Sequence, residues 1–121
     1  MKNLILTACI WFTLGNIAIA QQLKSPEGKF AMEFSLLKDG TPSYTLTYKN
    51  KEVVKSSKLG LELKNDEKSL LNDFTVIDTK TTTFDEIWKP VWGEVAKIRN
   101  HYNELAVTLN QKETDRQLVI R

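Results

Sequence analysis

The chain has 121 residues, which is enough for one domain and too few for a large multidomain enzyme. Its 17 basic and 15 acidic residues give a formal net charge of +2, so there is no electrostatic reason to expect binding to nucleic acid or to an acidic membrane surface. The single cysteine, Cys9, lies in an apolar leader, so the rest of the chain can form neither a disulfide nor a thiolate metal site.

The first 20 residues have the order of parts typical of a cleavable signal peptide. Lys2 is followed by a mostly apolar run from Leu4, which ends with small residues at Ala18 and Ala20. We therefore predict a helical signal peptide over residues 1–20, cleaved after Ala20, and an exported domain over residues 21–121. A membrane anchor is disfavoured because a spanning helix needs about 20 predominantly apolar residues, and this run is shorter and interrupted. No membrane association is expected after cleavage.

The exported part reads as all-β. Phe30, Met32, Phe34 and Leu36 alternate with smaller or polar residues, which predicts a strand with one buried face after a polar lead-in at 21–29. Further strands are expected at 44–48, 52–54, 59–63, 74–83 and 118–120, with 95–101 and 105–109 as the arms of a hairpin. Six or seven short strands favour an antiparallel β-sandwich or open barrel. The last strand stops at Arg121 without a turn, so we expect an incomplete sandwich.

The sequence gives little support for any catalytic group. Asp85, Glu86, Glu94 and Glu104 lie in the most distinctive region, but a glycosidase needs two carboxylates facing each other, and each of these is better explained as a solvated charge. His101 is the sole histidine and has no neighbours with metal-ligand spacing. No catalytic residue and no metal ligand is assigned.

Two tryptophans, Trp88 and Trp92, flank Pro90. Indole rings beside a stiffened turn can stack on a sugar face, because they present a flat apolar surface with a polar edge. The alternative is that they fill the core or a domain interface, and we favour it because large aromatic residues are mostly buried.

Several segments closely resemble the N-terminal domain of glycoside hydrolase family 97, the exported bacterial α-glucosidases and α-galactosidases. The main block is TFDEIWKPVWGE at 83–94 with IRNHYNEL at 98–105, and shorter pieces are LKSPEGK at 23–29, YTLTYKNK at 44–51 and LGLEL at 59–63. The resemblance implies a β-sandwich of the galactose-mutarotase type and a periplasmic location in a Gram-negative bacterium.

It also implies a partner in the same full-length protein: a catalytic (β/α)8 barrel that hydrolyses an α-linked oligosaccharide and uses calcium. The family's catalytic residues have no counterpart in this chain, so none is carried over. Arg99, Asn100, His101 and Tyr102 match the family block, and they either hold the face that meets the barrel or make ordinary hydrogen bonds within the sandwich.

Three functions follow from these observations. The leading hypothesis is a non-catalytic N-terminal domain of an exported α-glycoside hydrolase, which scaffolds the catalytic barrel. The alternatives are a free-standing carbohydrate-binding module that uses Trp88 and Trp92, and an exported structural or interaction protein.

Overall fold

The computed structural model describes residues 20–65 and 68–121. The described residues form seven β-strands and no helix. In chain order the strands are β1 (Gln21–Lys24), β2 (Phe30–Leu36), β3 (Pro42–Tyr48), β4 (Lys51–Lys58), β5 (Phe74–Trp88), β6 (Ile98–Gln111) and β7 (Gln117–Ile120). The predicted signal peptide falls on residues that, apart from Ala20, lie outside the described part.

The strands build two antiparallel sheets. One has four strands in the order β1-β2-β3-β4, and the other has three in the order β5-β6-β7. Within each sheet, strands that are consecutive in sequence pair with each other, and β4 and β5 lie in different sheets. Gly28 and Gly40 adopt positive φ in the β1–β2 and β2–β3 connections, a conformation that costs glycine little.

A small apolar core lies between the sheets. Its buried members are Phe34 on β2, Phe74 at the start of β5, and Leu105, Val107 and Leu109 on β6. The three β6 residues are two apart, so they project from one face of the strand. The predicted all-β antiparallel sandwich is therefore confirmed.

The turn between β2 and β3 joins the two sheets. Gly40 accepts a hydrogen bond from Phe74 N–H at 3.1 Å, and Asp73 N–H donates to Asp39 O at 3.0 Å. Thr41 N–H donates to the Asp39 carboxylate at 3.1 Å, and this bond lowers the pKa of Asp39 below its usual value. These contacts fix the position where β5 enters its sheet.

Three local expectations were wrong. The lead-in at 21–29 begins with a strand, β1, which pairs with β2 through Leu23 opposite Met32. The expected strand at 59–63 is reduced to one bridge between Leu61 and Leu70.

The third correction concerns the segments 95–101 and 105–109, which do not form a hairpin with each other. They belong largely to one strand, β6, which pairs with β5 from Phe74 opposite Gln111 to Trp88 opposite Ile98. The polar triplet Tyr102, Asn103 and Glu104 looks like a turn in sequence, but each residue has a partner on β5 that keeps it extended.

Candidate interaction surface

The β5–β6 hairpin has two unlike halves. In its first half, Phe74 and Val76 pack with the apolar side chains of β6 in the core. Beyond Thr83 and Asn103 the hairpin carries no core residue. We call the part from Phe84 to Tyr102 the distal hairpin; it includes the loop at 89–97 between the two strands.

At the base of the distal hairpin, Asn103 makes one hydrogen bond to the four-stranded sheet and one within its own sheet. Its amide Nδ2 donates to Lys24 O on β1 at 2.7 Å, and its Oδ1 accepts from the Thr83 hydroxyl at 2.9 Å. Asn103 is on the same face of β6 as the buried Leu105, so this face points toward the four-stranded sheet. We call it the inner face.

The inner face of the distal hairpin is polar except for Ile87, which lies opposite Arg99 and is exposed. Arg99 donates to both carboxylate oxygens of Asp85, from Nε at 2.8 Å and from Nη2 at 2.7 Å. These bonds hold the pKa of Asp85 below its usual value and raise the pKa of Arg99. His101, directly opposite Asp85 in the strand register, is solvent-exposed and lowers that pKa a little further if it is charged. The pair is therefore a surface ion pair that locks the two strands in register.

An open groove of about 440 Å³ separates the inner face from the β1–β2 turn. Arg99 and His101 line one side, and the turn that carries Lys29 and Glu27 lines the other. Lys29 Nζ lies 2.5 Å from a carboxylate oxygen of Glu27, and this hydrogen bond lowers the pKa of Glu27. Because Arg99 and Lys29 are each already paired with a carboxylate, the groove is not a prepared site for an anion.

The opposite, outer face of the distal hairpin carries two apolar cross-strand pairs, with the polar pair of Glu86 and Asn100 between them. Phe84 and Tyr102 are directly opposite each other, with ring centroids 5.3 Å apart and planes tilted by 31°. Trp88 and Ile98 form the last pair of the hairpin. All four side chains stay between 37% and 47% exposed, so they contact one another across the strands but nothing covers them among the described residues.

The loop beyond this face is even more exposed. Val91 is 90% and Trp92 is 89% exposed. Gly93, with φ of 135°, turns the chain at this point. Trp92 is therefore not a core residue, and Trp88 at 47% exposed is only half covered.

The six candidate residues from the sequence divide between the two faces. Period-two alternation places Arg99 and His101 on the inner face, and Asn100 and Tyr102 on the outer face near Trp88. Trp92 lies in the loop. Residues 99–102 therefore contribute to two different surfaces, and the structure does not bring the six side chains together.

Phe84 was not among the candidate residues from the sequence, because its contact with Tyr102 depends on the pairing of β5 with β6. Phe84 and Tyr102 are 18 residues apart, and their pairing depends on the register of the whole hairpin. The available signal was the repeat of large apolar residues at Phe84, Trp88 and, after the loop, Ile98 and Tyr102.

Among residues 20–65 and 68–121, no three His, Cys, Asp or Glu side chains lie close enough to hold a metal ion. These residues do not fit the calcium site that the family resemblance implies for a full-length enzyme. The same part of the chain contains no helix with the length and apolar character that a bilayer span requires.

Comparison with known proteins agrees with this architecture. The chain is similar to a glycoside hydrolase family 97 enzyme from Pseudoalteromonas sp. strain K8, solved with panose and with acarbose, at 26% identity and a TM-score of 0.71. That match covers 82% of this chain and 14% of the relative. A β-arabinopyranosidase shares the fold at 18% identity and a TM-score of 0.70. This chain therefore spans about one seventh of the length of such relatives.

The family described as Glycosyl-hydrolase 97 N-terminal matches residues 23–121, which include every strand except the first two residues of β1. The chain belongs to the glycosyl-hydrolase 97 N-terminal family.

Proposed function

We propose that this domain is the non-catalytic N-terminal β-domain of an exported α-glycoside hydrolase, of the α-glucosidase or α-galactosidase type. Its role is to scaffold a catalytic (β/α)8 barrel in the same polypeptide. The observation that carries the proposal is the family match over residues 23–121, together with relatives of which the matched segment is only 14%. A segment of this size is one domain of such an enzyme, and domains within one chain meet at interfaces.

Carboxylate chemistry in the distal hairpin supports a structural role. Glycoside hydrolysis needs one carboxyl group that holds its proton and one that is ionised. Asp85 is tied to Arg99, and this lowers its pKa, which is the wrong direction for a proton donor. Its neighbour across the strand is His101 rather than a second carboxylate.

The location and the cofactor of the longer enzyme belong to the same proposal. We place the enzyme in the periplasm because of the leader at residues 1–20. Calcium and the α-linked oligosaccharide would be held by the rest of the enzyme, because the described residues here supply no cluster of metal ligands. The proposed scaffold role does not depend on calcium.

The test is a fusion in which residues 21–121 replace the matching segment of the Pseudoalteromonas enzyme. We expect the fusion to fold and hydrolyse an α-glucoside, and the same enzyme without any N-terminal segment to be insoluble or inactive. Residues 21–121 alone should not hydrolyse aryl α-glucosides or aryl α-galactosides. A shortened enzyme that remains folded and fully active would contradict the scaffold role.

Sugar binding is a second candidate, favoured by the 89% exposure of Trp92. Trp88 and Trp92 are the only tryptophans outside the leader, so the indole fluorescence of residues 21–121 reports on them alone. A saturable shift with maltooligosaccharides or galactosides that is lost in Trp92→Ala would support this role. We expect no such shift below millimolar sugar.

A further inference from the structure

The outer face of the distal hairpin changes its chemistry along its length. Near the core this face carries Lys80, Thr82 and Thr108, which are suited to water. Beyond Glu104 it carries two apolar cross-strand pairs, Phe84 with Tyr102 and Trp88 with Ile98, and the polar pair of Glu86 and Asn100 lies between them. Val91 and Trp92 in the loop extend these pairs, and we call the six apolar residues the strip. The strip begins where the hairpin stops contacting the four-stranded sheet.

Exposed apolar side chains are concentrated in this segment. Of the sixteen large hydrophobic residues exposed among the described residues, eight lie from Phe84 to Tyr102: four on the outer face, three in the loop, and one, Ile87, on the inner face. Scattered exposed apolar residues are normal, but a contiguous patch on one face marks an interaction site. Aromatic residues, and tryptophan and tyrosine above all, are the groups that protein interfaces bury at their centres.

The charges of the segment limit the kind of partner. Between Phe84 and Tyr102 there are three acidic residues, Asp85, Glu86 and Glu94, and three basic ones, Lys89, Lys97 and Arg99. With no net charge, the segment has no attraction for nucleic acid or for an anionic lipid surface. An apolar protein surface is the partner that fits it.

We propose that the outer face and loop of the distal hairpin form the surface that docks onto the remainder of the longer polypeptide, while the inner face, which carries the ion pair of Arg99 and Asp85, stays in water. The proposal rests on the proposed function. It is supported by the share of the relatives that lies outside the matched segment, since this segment covers 14% of the Pseudoalteromonas enzyme. The rest of the polypeptide is covalently linked to this domain, so its effective concentration near the strip is high. The strip is therefore covered within one molecule.

Neighbouring residues on β6 give a matched test. Tyr102 points to the outer face and His101 to the inner face, and both are exposed in the domain. Residues 21–121 contain no cysteine. We would place Tyr102→Cys, Trp92→Cys or His101→Cys in the fusion described above and follow alkylation of each thiol by peptide mass spectrometry, normalised to the unfolded protein.

We expect the thiols at 102 and 92 to react roughly tenfold more slowly than the thiol at 101. Equal rates at all three positions, or protection at 101 alone, would overturn the proposal. Protection that disappears on dilution would assign the strip to a second copy of the protein and would also overturn it.

The two proposals fail in different ways. A folded, active fusion with an unprotected strip would leave the scaffold role intact and remove only the docking surface. If the fusion does not fold, residues 21–121 are co-expressed with the relative's remaining chain, and Trp92→Asp should reduce their co-purification. If the fusion does not fold and the co-expressed wild-type chains do not associate, both proposals are removed.

Discussion

Arg99 donates to both carboxylate oxygens of Asp85 across the β5–β6 hairpin, at 2.8 and 2.7 Å. The two side chains are half-exposed, so water and salt screen the pair and it contributes little to overall stability. Its effect is local, because a bidentate pair has one favourable geometry and so holds opposite residues in register. This matters on a hairpin whose distal half has no core.

The titration of Asp85 tests this pair. Its pKa is lowered in the folded chain, mainly by the hydrogen bonds from Arg99. The pair's stabilisation is therefore fully present above the unfolded pKa of aspartate and is lost as the pH falls through the lower, folded pKa. In Arg99→Gln the carboxyl should titrate at its usual pH. The measurement is a carbon-detected NMR titration of Asp85 in both proteins, and equal titration of Asp85 in the two would contradict the geometry.

Gly40 is expected to be intolerant of any side chain. Its φ is +75°, and a Cβ atom there would lie 2.6 Å from Phe74 N and 2.8 Å from Phe74 O, which are backbone atoms that cannot move aside. Gly40→Ala should lower the free energy of unfolding by about 3 kcal/mol, from strain and from loss of the bond between the sheets.

Gly28 is the matched control, since its φ is +68° but a Cβ would meet nothing within 4 Å. Gly28→Ala should therefore cost only the backbone strain, about 1 kcal/mol. Urea denaturation of the two variants gives the comparison. Equal losses would mean that the close approach to Phe74 is not a constraint.

Gln111 is a buried amide whose polar atoms are all paired, and it is only 2% exposed. Its Nε2 donates to Ser69 O at 3.0 Å and to Asn72 O at 3.2 Å, while its Oε1 accepts from the Thr114 hydroxyl at 2.6 Å. Gln111→Leu should destabilise the domain by about 2 kcal/mol, because it leaves carbonyl groups without a donor. Gln117→Leu, at an exposed position of β7, should have little effect in the same denaturation experiment. A neutral Gln111→Leu would show that water replaces the amide.

The parts of the fold that were predictable depend on local periodicity. Phe30 to Leu36 alternates clearly, and β2 has those bounds. In contrast, β1 carries a single large apolar residue, Leu23, and its strand character comes from pairing with β2. Propensity could not show that pairing, because it depends on tertiary contact.

The candidate surface was predictable in composition but not in arrangement. Trp88 and Trp92 were recognised as unusual, yet their exposure depends on how far the hairpin extends beyond the core. Reading 102–104 as a turn placed a break where β6 is continuous, and that error hid the alternation that separates His101 from Tyr102. The register of β5 against β6, which holds without a shift from Asp78 opposite Thr108 to Trp88 opposite Ile98, decides which residues share a face, and a single sequence does not contain it.

The last prediction is that residues 21–121, separated from any longer chain, associate through the distal hairpin. Val91 and Trp92 are 90% and 89% exposed, and burying an apolar side chain of this size is worth about 1.5 to 3 kcal/mol. Two or three such contacts per copy are enough for association at high micromolar concentration. We expect light scattering coupled to size-exclusion chromatography to show a mass that rises with concentration.

The variant Val91→Ser with Trp92→Ser should abolish this rise, because both side chains lie in the loop and their removal leaves the strand pairing intact. Val53→Ser is the control, since Val53 is 56% exposed on β4 and lies outside the hairpin. A wild-type mass that stays monomeric across the concentration range would show that the loop is not adhesive by itself. Association that is lost equally in Val53→Ser would instead assign it to the open edge of the four-stranded sheet, where β4 presents unpaired backbone groups.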